Sequence, residues 1–173
     1  MIKRFFSALF ALVLIISVQA QENTKRKIPA AKVKNLKGTE ISTEQLSNDG
    51  KPIVISFWAT WCKPCISELS AIAENYEDWQ AETGFKLVAV SIDDSRNVAK
   101  VLPLVNAKGW EYDVLTDQNG DFKRALNVNT VPHTFLVDGN GDIVWQHNAY
   151  APGDEKALYE KIKKLSKGES IKE

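Results

Sequence analysis

The two cysteines of the chain stand in one short segment, Trp61-Cys62-Lys63-Pro64-Cys65, directly behind the strand-forming run Ile53-Val54-Ile55-Ser56-Phe57-Trp58. A strand that runs straight into a dithiol and then into a helical pattern restricts this region to a strand–turn–helix unit with Cys62 at the helix start. Backbone N–H groups there stabilise negative sulfur, and a thiolate is the nucleophile of disulfide exchange. Cys65 falls one turn later on the same face, close enough to close a small disulfide with Cys62. Pro64 suits an early helical position, where its missing N–H is not needed. A structural staple is the weaker reading. So small a loop restricts the unfolded chain little, and a domain of this length buries a core without one. The pair points to redox chemistry.

Residues 1–20 read as a signal peptide. Lys3 and Arg4 precede an uncharged, mostly apolar run from Phe5 to Val18, and Val18-Gln19-Ala20 offers small residues at signal-peptidase spacing, with cleavage expected before Gln21. The run is shorter than the roughly 20 residues of a membrane helix. Left uncleaved, it would hold the protein at a membrane by its N-terminus. No cysteine lies near the cleavage point to accept a lipid. The expectation is an exported protein, periplasmic or secreted. Its 22 cationic and 22 acidic residues tip slightly acidic once Lys3 and Arg4 are lost. That balance leaves no electrostatic footprint for nucleic acid.

Residues 21–32 are polar and basic and read as a flexible leader, residues 33–168 as one domain, and residues 169–173 as a C-terminal tail. Val33 to Ser42 predicts a small hairpin turning at Lys37-Gly38, and Thr43 to Ser47 a short helical turn. Ile66 to Ala81 predicts one helix, with Ile66, Leu69, Ile72, Ala73, Tyr76 and Trp79 near a 3.6 period and Gly84 ending it. Phe85 to Ile92 is nearly continuous in apolar residues, as a strand buried on both faces should be. Strand, helix and strand in that order imply a right-handed parallel crossover. Asp93-Asp94-Ser95 supply capping residues for a helix to about Lys108, and Tyr112 to Leu115 reads as a strand. Asp121 to Leu126 predicts a short helix. Thr134 to Val137 and Ile143 to Gln146 alternate around Asp138-Gly139-Asn140-Gly141-Asp142, a strong hairpin signal. A closing helix from Asp154 to Lys167 carries the apolar stripe Leu158, Ile162 and Leu165.

Upstream of that hairpin lies Asn129-Thr130-Val131-Pro132-His133-Thr134-Phe135. Alone, Pro132 reads as an edge or turn proline, since proline cannot donate to a strand ladder. Together with Phe57-Trp58-Ala59-Thr60-Trp61-Cys62-Lys63-Pro64-Cys65 and Glu68, it resembles the thioredoxin superfamily, and within it the exported TlpA/ResA-like thiol-disulfide oxidoreductases. The resemblance spans roughly Ala31 to Leu165. It implies an α/β thioredoxin-like fold, a central mixed sheet flanked by helices, with an N-terminal hairpin and an extra helix–strand insertion. The stretch between Ile92 and Pro132, longer than one connecting helix needs, accommodates that insertion.

The same resemblance implies roles. Cys62 is the expected exposed nucleophile and Cys65 the resolving partner in a Cys62–Cys65 disulfide. Pro132 is the expected cis-proline, which with Val131, Trp61 and Pro64 would contact substrate. Glu68 occupies the position of a glutamate that moves protons for the cysteines; otherwise it is a solvated helix residue. Two departures stand out. Ser56 takes the place of the buried aspartate of cytosolic thioredoxins, and Ser70 the place of a helix-kinking proline. Lys63 reads either as a cation favouring the Cys62 thiolate or as a solvated loop lysine.

The implied partners are substrate proteins with disulfides and a membrane thiol electron donor, with the reducing direction favoured and cytochrome c maturation a family use. No cofactor is implied. The alternatives are a copper-delivery module using Cys62, Cys65 and His133, and a peroxidase. Copper sites in related folds usually place three residues between the cysteines, and this chain has two. Peroxidases of the superfamily use a Thr-x-x-Cys pattern, and Ala59 stands where the threonine would be. His133 also reads as a strand histidine with a polar contact, His147 as solvent-exposed, and Trp79, Trp110 and Trp145 as packing residues.

Overall fold

Every residue from Ile53 to Trp58 is buried, as a strand covered on both faces requires. The structure, a computed structural model, describes residues 26–171. The expected signal peptide and the tail beyond Ile171 lie outside them. In chain order the strands are β1 (Arg26–Lys27), β2 (Lys32–Asn35), β3 (Glu40–Ser42), β4 (Ile53–Trp58), β5 (Lys86–Ser91), β6 (Asp113–Thr116), β7 (His133–Val137) and β8 (Asp142–Asn148). The helices are α1 (Lys63–Ala73), α2 (Tyr76–Thr83), α3 (Val101–Lys108), α4 (Asp121–Ala125) and α5 (Asp154–Ser166).

The eight strands form one sheet in the order β1-β8-β7-β4-β5-β6-β2-β3. β4, β5 and β6 run parallel, and the remaining pairs are antiparallel. This is the mixed thioredoxin-like sheet expected, with the N-terminal hairpin β2–β3 extending it through β6. Strand alternation divides the core in two. Val54 and Trp58 face the layer of Cys65, Leu69, Leu158 and Ile162. Ile53, Ile55 and Phe57 face Phe122, Leu126 and Phe135 on the other side. There the Phe57 ring meets Phe122 at 5.2 Å and Phe135 at 6.0 Å between centroids.

Three segments differ from expectation. Part of the predicted flexible leader is ordered: Arg26 and Lys27 pair with Ile143 and Asp142. The Arg26 guanidinium donates to the Leu126 carbonyl at 2.6 Å, and the Lys27 ammonium pairs with Asp142 at 2.8 Å. These cations are anchored by distant residues, which a local reading of polarity does not see. The single helix predicted over 66–81 is two helices broken at Glu74-Asn75. The Asn75 side chain donates to the Ala71 carbonyl at 3.0 Å, competing with the helical ladder. The predicted helix from Asp93 begins later, because Asp94 caps a turn through the Arg96 N–H instead.

The β7–β8 turn carries a close approach. A Cβ placed on Gly139 would stand 1.9 Å from the Gly50 carbonyl oxygen. Gly139→Ala is therefore expected to destabilise the fold by about 1–3 kcal/mol, since backbone must move to admit the methyl. Denaturant unfolding checks this, and an unchanged midpoint would mean the two turns separate freely.

Candidate active site

β4 ends at Trp58, and the chain turns through Ala59-Thr60-Trp61 so that Cys62 becomes the N-cap of α1. Pro64 sits in the first turn, as its ring geometry favours. Cys62 and Cys65 are joined, with an S–S distance of 2.01 Å and Cα atoms 5.3 Å apart. The Cys65 backbone N–H also points at the Cys62 sulfur, 3.3 Å away. Cys65 is fully buried, whereas Cys62 keeps 5% of its surface in solvent. Whatever reaches the pair from outside meets Cys62 first.

A buried carboxylate fixes the turn before the cysteines. Asp93, at the end of β5, accepts from the Thr60 backbone N–H at 2.8 Å and the Thr60 hydroxyl at 2.7 Å, and from the Ser91 hydroxyl at 2.8 Å. Sequence reading took Asp93 for a helix cap; its real partner lies across the sheet's end, at a distance no local pattern reports. Asp93→Ala leaves the Thr60 groups without these acceptors and is expected to cost about 1–3 kcal/mol. A lowered melting temperature is the measurement, and an unchanged one would show the turn held by other contacts.

The sheet brings the proline segment to the same end. β7 pairs antiparallel with β4, setting His133 opposite Phe57 and Thr134 opposite Ser56. The Val131–Pro132 peptide just before β7 is cis. Pro132 is buried, Val131 half-buried and Trp61 exposed.

Glu68 lies one turn beyond Cys65 on α1 and is buried, not solvated. Its Oε2 accepts from the Ser56 hydroxyl at 3.1 Å and its Oε1 from the Thr134 hydroxyl at 2.8 Å. The two hydroxyls also stand 3.1 Å from each other. Ser56, on β4, thus meets a carboxyl that the helix α1 supplies. Three oxygen contacts close a ring, and the two hydroxyls bring only two hydrogens. When Glu68 is protonated its Oε1–H takes over from Thr134 as the donor of that contact and all three are filled: carboxyl to Thr134, Thr134 to Ser56, Ser56 back to Oε2. Burial pushes the Glu68 carboxyl up to about 7, against the hydrogen bonds from Thr134 and Ser56 and helped by the charges of Asp154 and Glu155. Thr134 was not anticipated as a site residue. The signal for it was its register opposite Ser56, which sequence alone does not supply.

His133 is placed elsewhere. Alternation along β7 turns its ring to the face opposite Thr134 and Glu68, where it stacks on Phe135 at 4.3 Å. Its Nε2 meets the Gln146 side-chain oxygen at 3.2 Å, and burial holds its pKa below the ordinary histidine range. The ligand set Cys62, Cys65 and His133 is therefore split across the sheet, as strand alternation dictates. Among the described residues no group of three His, Cys, Asp or Glu is placed to hold a metal ion. His147 stands at the surface near Asp154, 3.5 Å away.

Comparison with known proteins agrees with this geometry. The profile of the AhpC/TSA family matches residues 24–146. The thiol-disulfide oxidoreductase ResA of Oceanobacillus iheyensis is 35% identical over 103 residues, 59% of this chain. The match spans only 52% of that protein's length. The thiol:disulfide interchange protein DsbE of Tatumella citrea is 31% identical over 148 residues, 82% of this chain and 76% of that protein. An uncharacterized thioredoxin-like protein from Porphyromonas gingivalis, solved in solution, is 54% identical with a TM-score of 0.73 over 84% of this chain and 95% of that one. With its paired cysteines capping α1 beside a cis-proline, the chain belongs to the AhpC/TSA family of thioredoxin-like proteins, and in it to the thiol-disulfide oxidoreductases of the ResA and DsbE type.

Proposed function

We propose that the protein reduces disulfides of exported polypeptides, and that the haem-attachment cysteines of c-type cytochromes are among its substrates. The observation that carries the reading is the asymmetry of the sulfur pair, Cys62 with 5% of its surface exposed and Cys65 fully buried. In the dithiol form the Cys62 thiolate attacks a substrate disulfide. The substrate S–S bond breaks, a mixed disulfide forms on Cys62, and one substrate thiolate leaves and takes a proton. Cys65 then gives up its proton and attacks the Cys62 sulfur, closing the pair and releasing the second substrate thiol. Two electrons pass to substrate, its two thiolates take their protons from solvent, and a membrane thiol donor returns the electrons.

Glu68 receives the Cys65 proton in this scheme. A carboxyl held near 7 exchanges a proton readily at neutral pH, and the hydroxyls of Ser56 and Thr134 hold that proton while the pair is oxidised. In this reading Trp61, Pro64, Val131 and Pro132 contact the substrate chain and position it. The apolar N-terminal run supports export, and among the described residues no helix is long and apolar enough to cross a membrane.

The deciding experiment is the reduction potential of the Cys62–Cys65 pair, equilibrated against dithiothreitol or glutathione buffers. A reductase requires a value near or below about −270 mV, whereas a value near about −120 mV would make the protein an oxidant of newly exported chains.

A further inference from the structure

On the face of the sheet turned away from Glu68, the start of β1, the chain after α4 and the end of β8 enclose a hollow of about 210 Å³. Arg26 is its one charged residue among those described. The guanidinium is fixed on two sides: it donates to the Leu126 carbonyl at 2.6 Å and lies over the Phe135 ring, 5.8 Å from the centroid. The carbonyl occupies only one of the five N–H donors of an arginine. No carboxylate pairs with Arg26 among the described residues. His133 forms part of the wall and adds no charge at neutral pH, because burial holds its pKa below the ordinary histidine range. Its Nε2 faces the Gln146 side-chain oxygen, which leaves the Gln146 amide N–H groups for another partner. The side chains of Asn127, Asn129, Thr130 and Asn148 complete the lining, and among the described residues they make no hydrogen bond to protein.

We propose that this hollow binds the anion of a small hydroxy acid, its carboxylate on Arg26 and its hydroxyl among the surrounding amides. One fixed cation balances a monoanion, whereas a phosphate dianion would keep one charge unmatched. A guanidinium also meets a carboxylate as a planar, two-pronged fork. Amide and hydroxyl side chains both donate and accept, so a hydroxyl beside the carboxylate finds partners there that a methyl group would not. The volume is about seven times the roughly 30 Å³ share of a water molecule in the liquid, which suits an acid of a few carbons. Asn129 and Thr130 lead straight into Val131 and Pro132. An occupant bridging them to Asn148 on β8 restrains that segment from behind, on the side away from the sulfur pair.

The test is an NMR titration of the oxidised protein with sodium lactate, read at the Arg26 Nε–H and at the Asn129 and Asn148 side-chain amides. Sodium chloride at equal ionic strength sets the baseline for screening. Saturable shifts at these groups are expected, with a Kd on the order of 1 mM, together with slower amide exchange at Thr130 and Val131. Lactamide, which lacks the charge, and propionate, which lacks the hydroxyl, should each bind at least about tenfold more weakly. Asn129→Asp puts a negative charge into the hollow at nearly unchanged shape and should lose at least about tenfold in lactate affinity. Arg26→Gln should lose as much, while its reduced form reduces hydroxyethyl disulfide at the wild-type rate. Shifts that chloride reproduces, or an affinity that Asn129→Asp leaves unchanged, would overturn the proposal. So would propionate or phosphate binding as tightly as lactate. N-acetylalanine binding more tightly than lactate would also overturn it, since the hollow would then suit the end of a polypeptide.

Discussion

Replacing Cys62 by serine is expected to lower disulfide exchange by at least about a thousandfold, whereas replacing Cys65 by serine should leave attack intact and stall the reaction at a mixed disulfide. The difference follows from burial. Cys65 has no exposed surface, so in Cys62→Ser no sulfur is presented to substrate, and losing a nucleophile removes most of the rate. In Cys65→Ser the Cys62 sulfur still attacks, but the intramolecular step that releases it is gone. Non-reducing electrophoresis with a disulfide substrate should show a covalent adduct for Cys65→Ser and none for Cys62→Ser. Full turnover by both variants would sink the assignment; an adduct on Cys62→Ser alone would reverse the two roles.

The second large effect is on stability against pH. Burial raises the folded carboxyl of Glu68 from the ordinary 4.5 to about 7. Below about pH 4.5 the residue is protonated in both folded and unfolded chains, and its favourable contribution is complete. Between there and about 7 the unfolded chain releases the proton while the folded one keeps it, so stability falls as pH rises. It levels off above about 7. The fall amounts to about 3 kcal/mol for the oxidised protein. Asp154 and Glu155 act in the same direction through their negative charge. Glu68→Gln cannot ionise and should unfold with a much flatter pH dependence, leaving it more stable than the wild type at pH 8 relative to pH 5. Urea unfolding at a series of pH values reads this directly. An equal slope in both proteins would mean that Glu68 ionises in the fold as freely as outside it.

Much of this architecture is legible from residue pattern. The nearly unbroken apolar run over Ile53 to Trp58, the turn at Asp138 to Asp142 and the stripe of Leu158, Ile162 and Leu165 each place an element correctly, because each is decided by local burial or turn chemistry. The cysteine pair is legible as a candidate site from its place at a helix start, and Pro132 only through the resemblance to the thioredoxin superfamily, since alone it reads as an edge or turn proline. What is not legible is set by long-range register. Thr134 matters because β7 pairs with β4 at Ser56, and Asp93 because the end of β5 lies beside the turn at Thr60. The fate of Arg26 depends on Leu126 and Phe135. The broken helix at Asn75 is an intermediate case, since its side-chain competition is local but weaker than the apolar period that overlies it.

The two borders of the sheet have a consequence for the company this protein keeps. β1 contributes two residues and β3 three, and Arg26, Lys27 and Glu40 put charge on those borders. Among the described residues β1 covers β8 only at Asp142 and Ile143, so a chain looking for a partner strand meets charge at β1 and β3 and a longer open edge only along Val144 to Asn148. In the function proposed above, polypeptides that return repeatedly to the sulfur pair find charge at both borders of the sheet, which disfavours their recruitment there as extra strands.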